Sequence, residues 1–151
     1  SGETALGKFP VESVCMMSQI ISATSNQVGI RSYFANDNQA NAIASSLVKI
    51  ADEIGAKAIV VLTHSGRSAR LISRHRPNQP IIALSPNENT LHRLNFVWGV
   101  QTRLITLTTT IDDSIQEAKT QALAHKNLHL KKGDRVAISA GFPFGKKALP
   151  I

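Results

Sequence analysis

Several residue types are scarce in this 151-residue chain, and each scarcity excludes a class of protein. Cys15 is the only cysteine, so no disulfide can form within the chain, and we expect a cytoplasmic protein. No apolar run approaches the roughly 20 residues that span a bilayer. The first residues, Ser-Gly-Glu-Thr-Ala, also differ from a signal peptide. We therefore expect no membrane partner.

Aromatic and acidic residues are also few. Five Phe, one Tyr and one Trp lie scattered, and 17 Lys and Arg outnumber 10 Asp and Glu, which leaves a net charge of +7. That excess favours anionic partners, either nucleic acid or phosphorylated metabolites. Proteins that bind single strands place clustered aromatics beside basic residues, and the sequence shows no such cluster. We expect no nucleic-acid partner, although the charge keeps a basic nucleic-acid binder as a rival interpretation.

The chain is organised around residues 58–69, which read as a buried strand, a small polar loop and the start of a helix. The first N–H groups of a helix lack intrahelical partners and carry the positive end of its dipole, so they attract anions. Hydroxyls, arginines and a glycine that permits close approach complete the pattern. The candidate phosphate site consists of Thr63, His64, Ser65, Gly66, Arg67 and Ser68. The alternative is an ordinary helix start, with Ser65 as the N-cap and the arginines on a solvated face.

Hydrophobic periodicity predicts alternating helices and strands along the rest of the chain. Helices are expected at about 10–23, 36–54, 66–75, 87–96 and from 111 onward. Strands are expected at 58–63, 81–84, 135–139 and, after a turn at 96–100, through 103–107. This order predicts an α/β three-layer sandwich with a mostly parallel sheet of about five strands and helices on both faces. Ligands of such sheets lie at the carboxyl ends of the strands.

Four further expectations concern single residues or short segments. Residues 1–10 are expected to form a loop, and Trp98 is expected to be a packing anchor. Asp112 and Asp113 are interpreted as complements of a helix dipole rather than as an acid–base or Mg²⁺ pair. His92 has no suitably spaced partner, and we predict no metal site.

Three stretches resemble the C-terminal portion of pyruvate kinase. They are residues 1–14, then 56–69 with the later Arg76-Pro77 and Pro80-Ile-Ile-Ala83, and finally Lys131-Lys-Gly-Asp-Arg-Val136 leading into Ser139-Ala-Gly141. The resemblance implies two parts. Residues 1–24 would be the last loop and helix of a catalytic (β/α)₈ barrel, and residues 25–151 would be the C-terminal effector-binding domain.

In that family the whole enzyme transfers phosphate from phosphoenolpyruvate to ADP with Mg²⁺ and usually K⁺. The groups that do this correspond to positions before Ser1, so the resemblance implies no catalytic residue and no cofactor in this chain. It implies instead an inactive portion of an active phosphotransferase of glycolysis. A stand-alone α/β module that binds a phosphorylated ligand remains the alternative.

The resemblance also implies what the chain binds. Residues 63–68 match the family's effector loop, so a phosphorylated allosteric effector is expected there, with Lys146 and Lys147 as further candidates from the C-terminal loop. The segment between Trp98 and Asp112 lacks the insertion that holds a second phosphate. A sugar monophosphate or AMP is therefore favoured over a bisphosphate. The first helix would pack on a barrel in the family, so self-association through its apolar stripe is expected here.

Overall fold

The structure is a computed structural model that describes residues 2–24, 39–106, 110–125, 128, 130–131 and 133–141. The chain divides into two compact units, Ser1–Arg31 and Ser32–Ile151. The expected division after residue 24 lies beside residues outside the described ranges and stays a prediction.

The first unit contains two helices, α1 (Gly2–Leu6) and α2 (Pro10–Thr24). The loop expected for residues 1–10 is therefore wrong. The Gly7 N–H donates to the Glu3 carbonyl over 3.1 Å and closes a helical turn. Proline at the first position of α2 suits a site where the missing N–H costs nothing.

The second unit alternates helices and strands. In chain order they are α3 (Gln39–Glu53), β1 (Ala58–Leu62), α4 (Arg67–Arg74), β2 (Ile81–Ser85), α5 (Glu88–Leu94), β3 (Val100–Leu104), α6 (Ile111–Leu123) and β4 (Val136–Ala140). Two of these helices begin after a residue whose side chain caps the helix. The Asn87 side chain accepts from the N–H groups of Asn89 and Thr90, and the Thr110 side chain accepts from the Asp113 N–H.

The four strands form one parallel sheet in the spatial order β3-β2-β1-β4. Ile59 of β1 pairs with Ile81 of β2 on one side and with Ala137 of β4 on the other. This sheet confirms the predicted α/β class and the parallel arrangement. The described residues contribute four strands to a sheet expected to have about five.

Side chains alternate between the two faces of the sheet, and both faces are covered by helices. One core lies under α3, α4 and α5, and its fully or nearly fully buried side chains include Val48, Ile59, Val61, Ile72, Ile81 and Leu94. The other core lies under α6, and its members include Val60, Leu62, Ile82, Leu84, Ala118 and Ala122. Helices on both faces are as predicted.

The third strand follows the predicted turn but ends earlier than predicted. It occupies Val100–Leu104 instead of continuing through 103–107. Gly99 takes a left-handed conformation with φ of +68° and turns the chain, and its carbonyl accepts the Ile81 N–H over 3.0 Å. Pairing with β2 thus starts after the turn, as predicted, and its last pair joins Leu104 to Ser85, where β2 also ends. The end of the strand follows from sheet register, which local periodicity does not contain.

Candidate phosphate-binding loop

The candidate loop, residues 63–68, lies at the carboxyl end of the central strand. From β1 the chain moves outward through β2 to β3 and then returns across the sheet to place β4 on the other side of β1. The direction of the connections therefore reverses between β1 and β4. Ligands of open parallel sheets bind outside the carboxyl ends of the strands at such a reversal.

A tight internal turn shapes the candidate loop. The side-chain oxygen of Thr63 accepts the Gly66 N–H over 3.0 Å. Gly66 is the N-cap of α4, with φ of +79° and ψ of 0°, and a Cβ there would lie 3.2 Å from atoms of Thr90 and Leu94. Both the left-handed backbone and the close approach of α5 require glycine at this position. The alternative with Ser65 as N-cap is wrong, because Gly66 holds that position without a side-chain cap.

Three consecutive carbonyls of the candidate loop accept hydrogen bonds from outside it. The Thr90 hydroxyl of α5 donates to the His64 carbonyl over 2.9 Å. The Arg70 guanidinium reaches back along α4 and donates from Nη2 to the Ser65 carbonyl over 3.0 Å, and from Nε to the Gly66 carbonyl over 3.4 Å. The backbone of the loop is therefore held in one orientation by two helices.

The start of α4 leaves donors available for an anion. The first intrahelical bond of this helix runs from the Arg70 N–H to the Gly66 carbonyl over 3.1 Å. The N–H groups of Arg67, Ser68 and Ala69 precede it and have no intrahelical acceptor. They lie at the positive end of the helix dipole, where a phosphate group is stabilised.

The predicted site residues divide into buried and exposed groups. Thr63 and Gly66 are buried and form the turn, whereas His64, Ser65, Arg67 and Ser68 are exposed. The exposed hydroxyls and the Arg67 guanidinium can therefore reach a ligand in solvent. Lys146 and Lys147 lie outside the described residues.

The sequence did not reveal two contributors to this arrangement. Thr90 is 26 residues from His64 along the chain, and no local pattern links them. Arg70 lies near the start of α4, where the helix dipole disfavours a cation, yet its guanidinium is paired with loop carbonyls. Arg70 thus supports the candidate loop from within the protein.

The other basic residues of this region have separate contacts. His75 Nε2 lies 3.2 Å from Asn41 Oδ1, which joins α4 to α3. Burial, followed by the nearby Arg74 charge, lowers the pKa of His75. Arg76 lies over the Trp98 ring, and Trp98 is 48% exposed. Trp98, expected to be a packing anchor, thus packs against Arg76 at the surface and not in the core.

Metal ligands do not converge in the described part of the chain. Within those ranges no three His, Cys, Asp or Glu side chains could hold a metal ion together. His125 and His129 are four residues apart, a spacing that would align two ligands on a helix. However, α6 ends at Leu123, and His129 lies outside the described residues. Asp113 accepts the Thr110 hydroxyl over 2.6 Å, so it belongs to the start of α6 as predicted.

Among the described residues, none of the helices has the length and apolar character needed to cross a membrane.

His125 near the end of α6 is 4% exposed, and its Nδ1 finds no hydrogen-bond partner. Burial, followed by the nearby Arg103 charge, lowers the pKa of this imidazole, so its neutral form is favoured in the fold.

The fold is that of a parallel α/β domain, with the candidate loop at the carboxyl edge of its sheet. The family model described as "Pyruvate kinase, alpha/beta domain" matches residues 41–148. The chain belongs to this family, and the resemblance seen in the sequence is confirmed.

Similar proteins extend the match beyond those residues. A pyruvate kinase of Lactobacillus delbrueckii subsp. bulgaricus is 38% identical over 97% of this chain and 26% of its own length. A pyruvate kinase of Agrobacterium vitis is 38% identical over 95% of this chain and 31% of its own length. A crystal structure of a pyruvate kinase from Cryptosporidium parvum has a TM-score of 0.77 at 30% identity, over 91% of this chain and 29% of that one. The chain therefore spans between a quarter and a third of these relatives.

Proposed function

We propose that this chain is the regulatory and oligomerisation portion of a pyruvate kinase, and that residues 63–68 bind the phosphate of an allosteric effector. The observation that carries the proposal is the candidate loop itself. It lies where the sheet reverses its connections, its carbonyls are held by Thr90 and Arg70, and the first N–H groups of α4 lack intrahelical acceptors. A phosphate dianion matches both those donors and the helix dipole.

The parent enzyme would be a cytoplasmic phosphotransferase of glycolysis that converts phosphoenolpyruvate and ADP to pyruvate and ATP. Its Mg²⁺ and K⁺ would be held by the catalytic barrel, as the resemblance to the family implies. We therefore assign no chemical step to this chain and expect it to be inactive alone. An effector bound at the candidate loop would act by favouring whichever state of the parent binds it more tightly.

The proposed effector carries one phosphate, as a sugar monophosphate or AMP does. The candidate loop supplies a single set of first-turn N–H groups, with the exposed Arg67 beside them. Lys146 and Lys147 remain candidates for further contacts. A bisphosphate would need a second cationic site, and the short segment between Trp98 and Asp112 lacks the insertion that would supply one.

Self-association is proposed through the first unit. Within its unit α2 buries none of its residues. Its apolar side chains recur at helical spacing, and they include Val11, Val14, Met17, Ile20 and Ile21. Covering such a stripe releases water and stabilises an assembly. Light scattering across a concentration series tests this, and a molar mass that stays at the monomer value counts against it.

Calorimetric titration tests the proposed effector site. Ribose phosphate, glucose phosphate, AMP and fructose bisphosphate are titrated into the wild-type chain, Ser65→Ala, Ser68→Ala and the control Ser46→Ala. Ser46 is an exposed serine of α3 outside the candidate loop. We expect one monophosphate to bind, weaker binding to both loop variants and no change for the control. Equal binding to all four proteins, or no binding of any ligand, would contradict the proposal.

A further inference from the structure

We infer that Thr90 is a positioning residue of the candidate loop, and that its hydroxyl sets the direction of the Ser65 N–H as a donor to the bound phosphate. The inference rests on the proposed function, because it concerns the same site. Its basis is the 2.9 Å hydrogen bond from Thr90 Oγ1 to the His64 carbonyl.

A hydroxyl on a helix can bond within its own helix or reach another element, as the Ser73 hydroxyl of α4 does at the Trp98 carbonyl. The hydroxyls of Thr24, Ser114 and Thr120 each donate to the carbonyl four residues earlier in the chain. That local bond is the common choice of helical Ser and Thr residues. Thr90 donates instead to a residue 26 positions away. Its hydroxyl therefore serves the candidate loop and not its own helix.

The backbone of Thr90 is fixed before its side chain reaches the loop. The Thr90 N–H lies 3.4 Å from Asn87 Oδ1 and 3.1 Å from the Asn87 carbonyl, so the helix start holds it in place. Its methyl group lies 3.2 Å from where a Cβ of Gly66 would stand. Thr90 is 7% exposed. A largely buried residue with an anchored backbone therefore donates the hydrogen bond to the His64 carbonyl.

Because a peptide unit is planar, the hydrogen bond to the His64 carbonyl also fixes the direction of the Ser65 N–H. In a trans peptide the carbonyl and the N–H point in opposite directions. Because the His64 carbonyl points toward Thr90, the Ser65 N–H of the same peptide points away from α5. The next peptide is held likewise, since Arg70 holds the Ser65 carbonyl and Thr63 accepts the Gly66 N–H. Loss of the Thr90 hydroxyl would free only the peptide that carries the Ser65 N–H.

Substitution of the hydroxyl tests the inference. Thr90→Val keeps the size and shape of the side chain but removes the donor, whereas Thr90→Ser keeps the donor. Thr120→Val is the matched control, because its hydroxyl bonds to Gln116 within α6. Inorganic phosphate is titrated into each protein, and the Ser65 amide resonance is followed together with calorimetric affinity.

We expect Thr90→Val to weaken phosphate binding about three- to tenfold, the range that corresponds to one hydrogen bond. We also expect it to reduce the shift of the Ser65 amide on titration. Thr90→Ser and Thr120→Val should behave as the wild type does. Unchanged affinity and an unchanged Ser65 shift in Thr90→Val would overturn the inference while leaving the proposed function intact.

Two other outcomes are distinguishable. If the wild-type chain binds neither phosphate nor the sugar phosphates, the proposed function fails, and this inference fails with it. If Thr90→Val does not fold, Thr90→Ala replaces it, since a smaller side chain leaves Gly66 unobstructed. Wild-type affinity in that variant overturns the inference in the same way.

Discussion

The guanidinium carbon of Arg76 lies 4.5 Å from the centroid of the Trp98 ring. The Trp98 carbonyl also accepts the Ser73 hydroxyl over 2.6 Å. Together these contacts join the end of α4 to the turn before β3. Arg76 occupies the left-handed region with φ of +47°, which is costly for a residue other than glycine.

A double-mutant cycle measures the Arg76–Trp98 contact. Cation–π pairs at exposed sites contribute about 0.5–1 kcal/mol. We expect Arg76→Ala and Trp98→Leu each to lower the free energy of unfolding, with a coupling energy of about that size. Arg76→Gly should cost less than Arg76→Ala, because glycine relieves the left-handed strain. A coupling energy of zero in urea unfolding would show that the two side chains do not stabilise each other.

Gly66→Ala should destabilise the fold more than Gly55→Ala. Both glycines are left-handed, with φ of +79° and +62°, so alanine costs roughly 1–2 kcal/mol at either position. Only at Gly66 does a Cβ meet neighbours at 3.2 Å, whereas nothing lies within 4 Å at Gly55. Urea unfolding of the two variants isolates the added clash. Equal losses would mean that α5 shifts away at no cost.

Leu94→Ala should remove a large part of the core under α5. Leu94 is 0% exposed, and truncation of such a leucine costs about 2–5 kcal/mol. Leu123→Ala is the control, because its side chain is 67% exposed and its loss should change stability by no more than about 0.5 kcal/mol. Similar midpoints of chemical unfolding for both variants would contradict the assignment of Leu94 to the core.

Acid should destabilise the chain through His125. Its folded pKa is lowered from 6.5, so below that pH the unfolded state binds more protons than the folded state. The stability contributed by the neutral imidazole is complete above about pH 6.5 and is lost as the pH falls through and below that value. The loss stops once the pH is below the folded pKa. The lowered pKa of His75 should add an effect of the same sign.

Unfolding free energies at pH 8 and pH 5 measure this dependence. His125→Leu removes the titrating group and should flatten the curve, leaving the part due to His75. His92→Gln is the control, because His92 is exposed on α5. A wild-type curve that does not fall between these two pH values would contradict the prediction.

Local pattern was sufficient for the elements around the candidate loop. The apolar run at 58–62 became β1, and the helix predicted at 66–75 became α4 over Arg67–Arg74. The apolar run of a buried strand, the glycine of the loop and the periodicity of a helix are each properties of a few consecutive residues. They can therefore be recognised in the sequence. The loop between these elements was placed correctly for the same reason. Whether it binds phosphate stays a prediction.

The sequence was less informative where structure depends on distant partners. The end of β3 at Leu104 follows from its pairing with β2, and residues 2–6 form a short helix where a loop was predicted. Trp98 lies on the surface because Arg76 and Ser73 hold its turn there. The end of β3 and the position of Trp98 are decided by contacts between segments, and local propensity does not encode them.

The sequence by itself therefore determined the α/β class, the family and the strand–loop–helix order at residues 58–74. Apolar periodicity and turn residues act within short segments, and they suffice for that. Only the tertiary structure decided that β4 returns to the far side of β1. Only the tertiary structure shows that the Thr90 hydroxyl donates to the His64 carbonyl and that the Arg70 guanidinium donates to the Ser65 carbonyl. Those contacts depend on how helices pack across the sheet, which joins residues that are far apart in the chain.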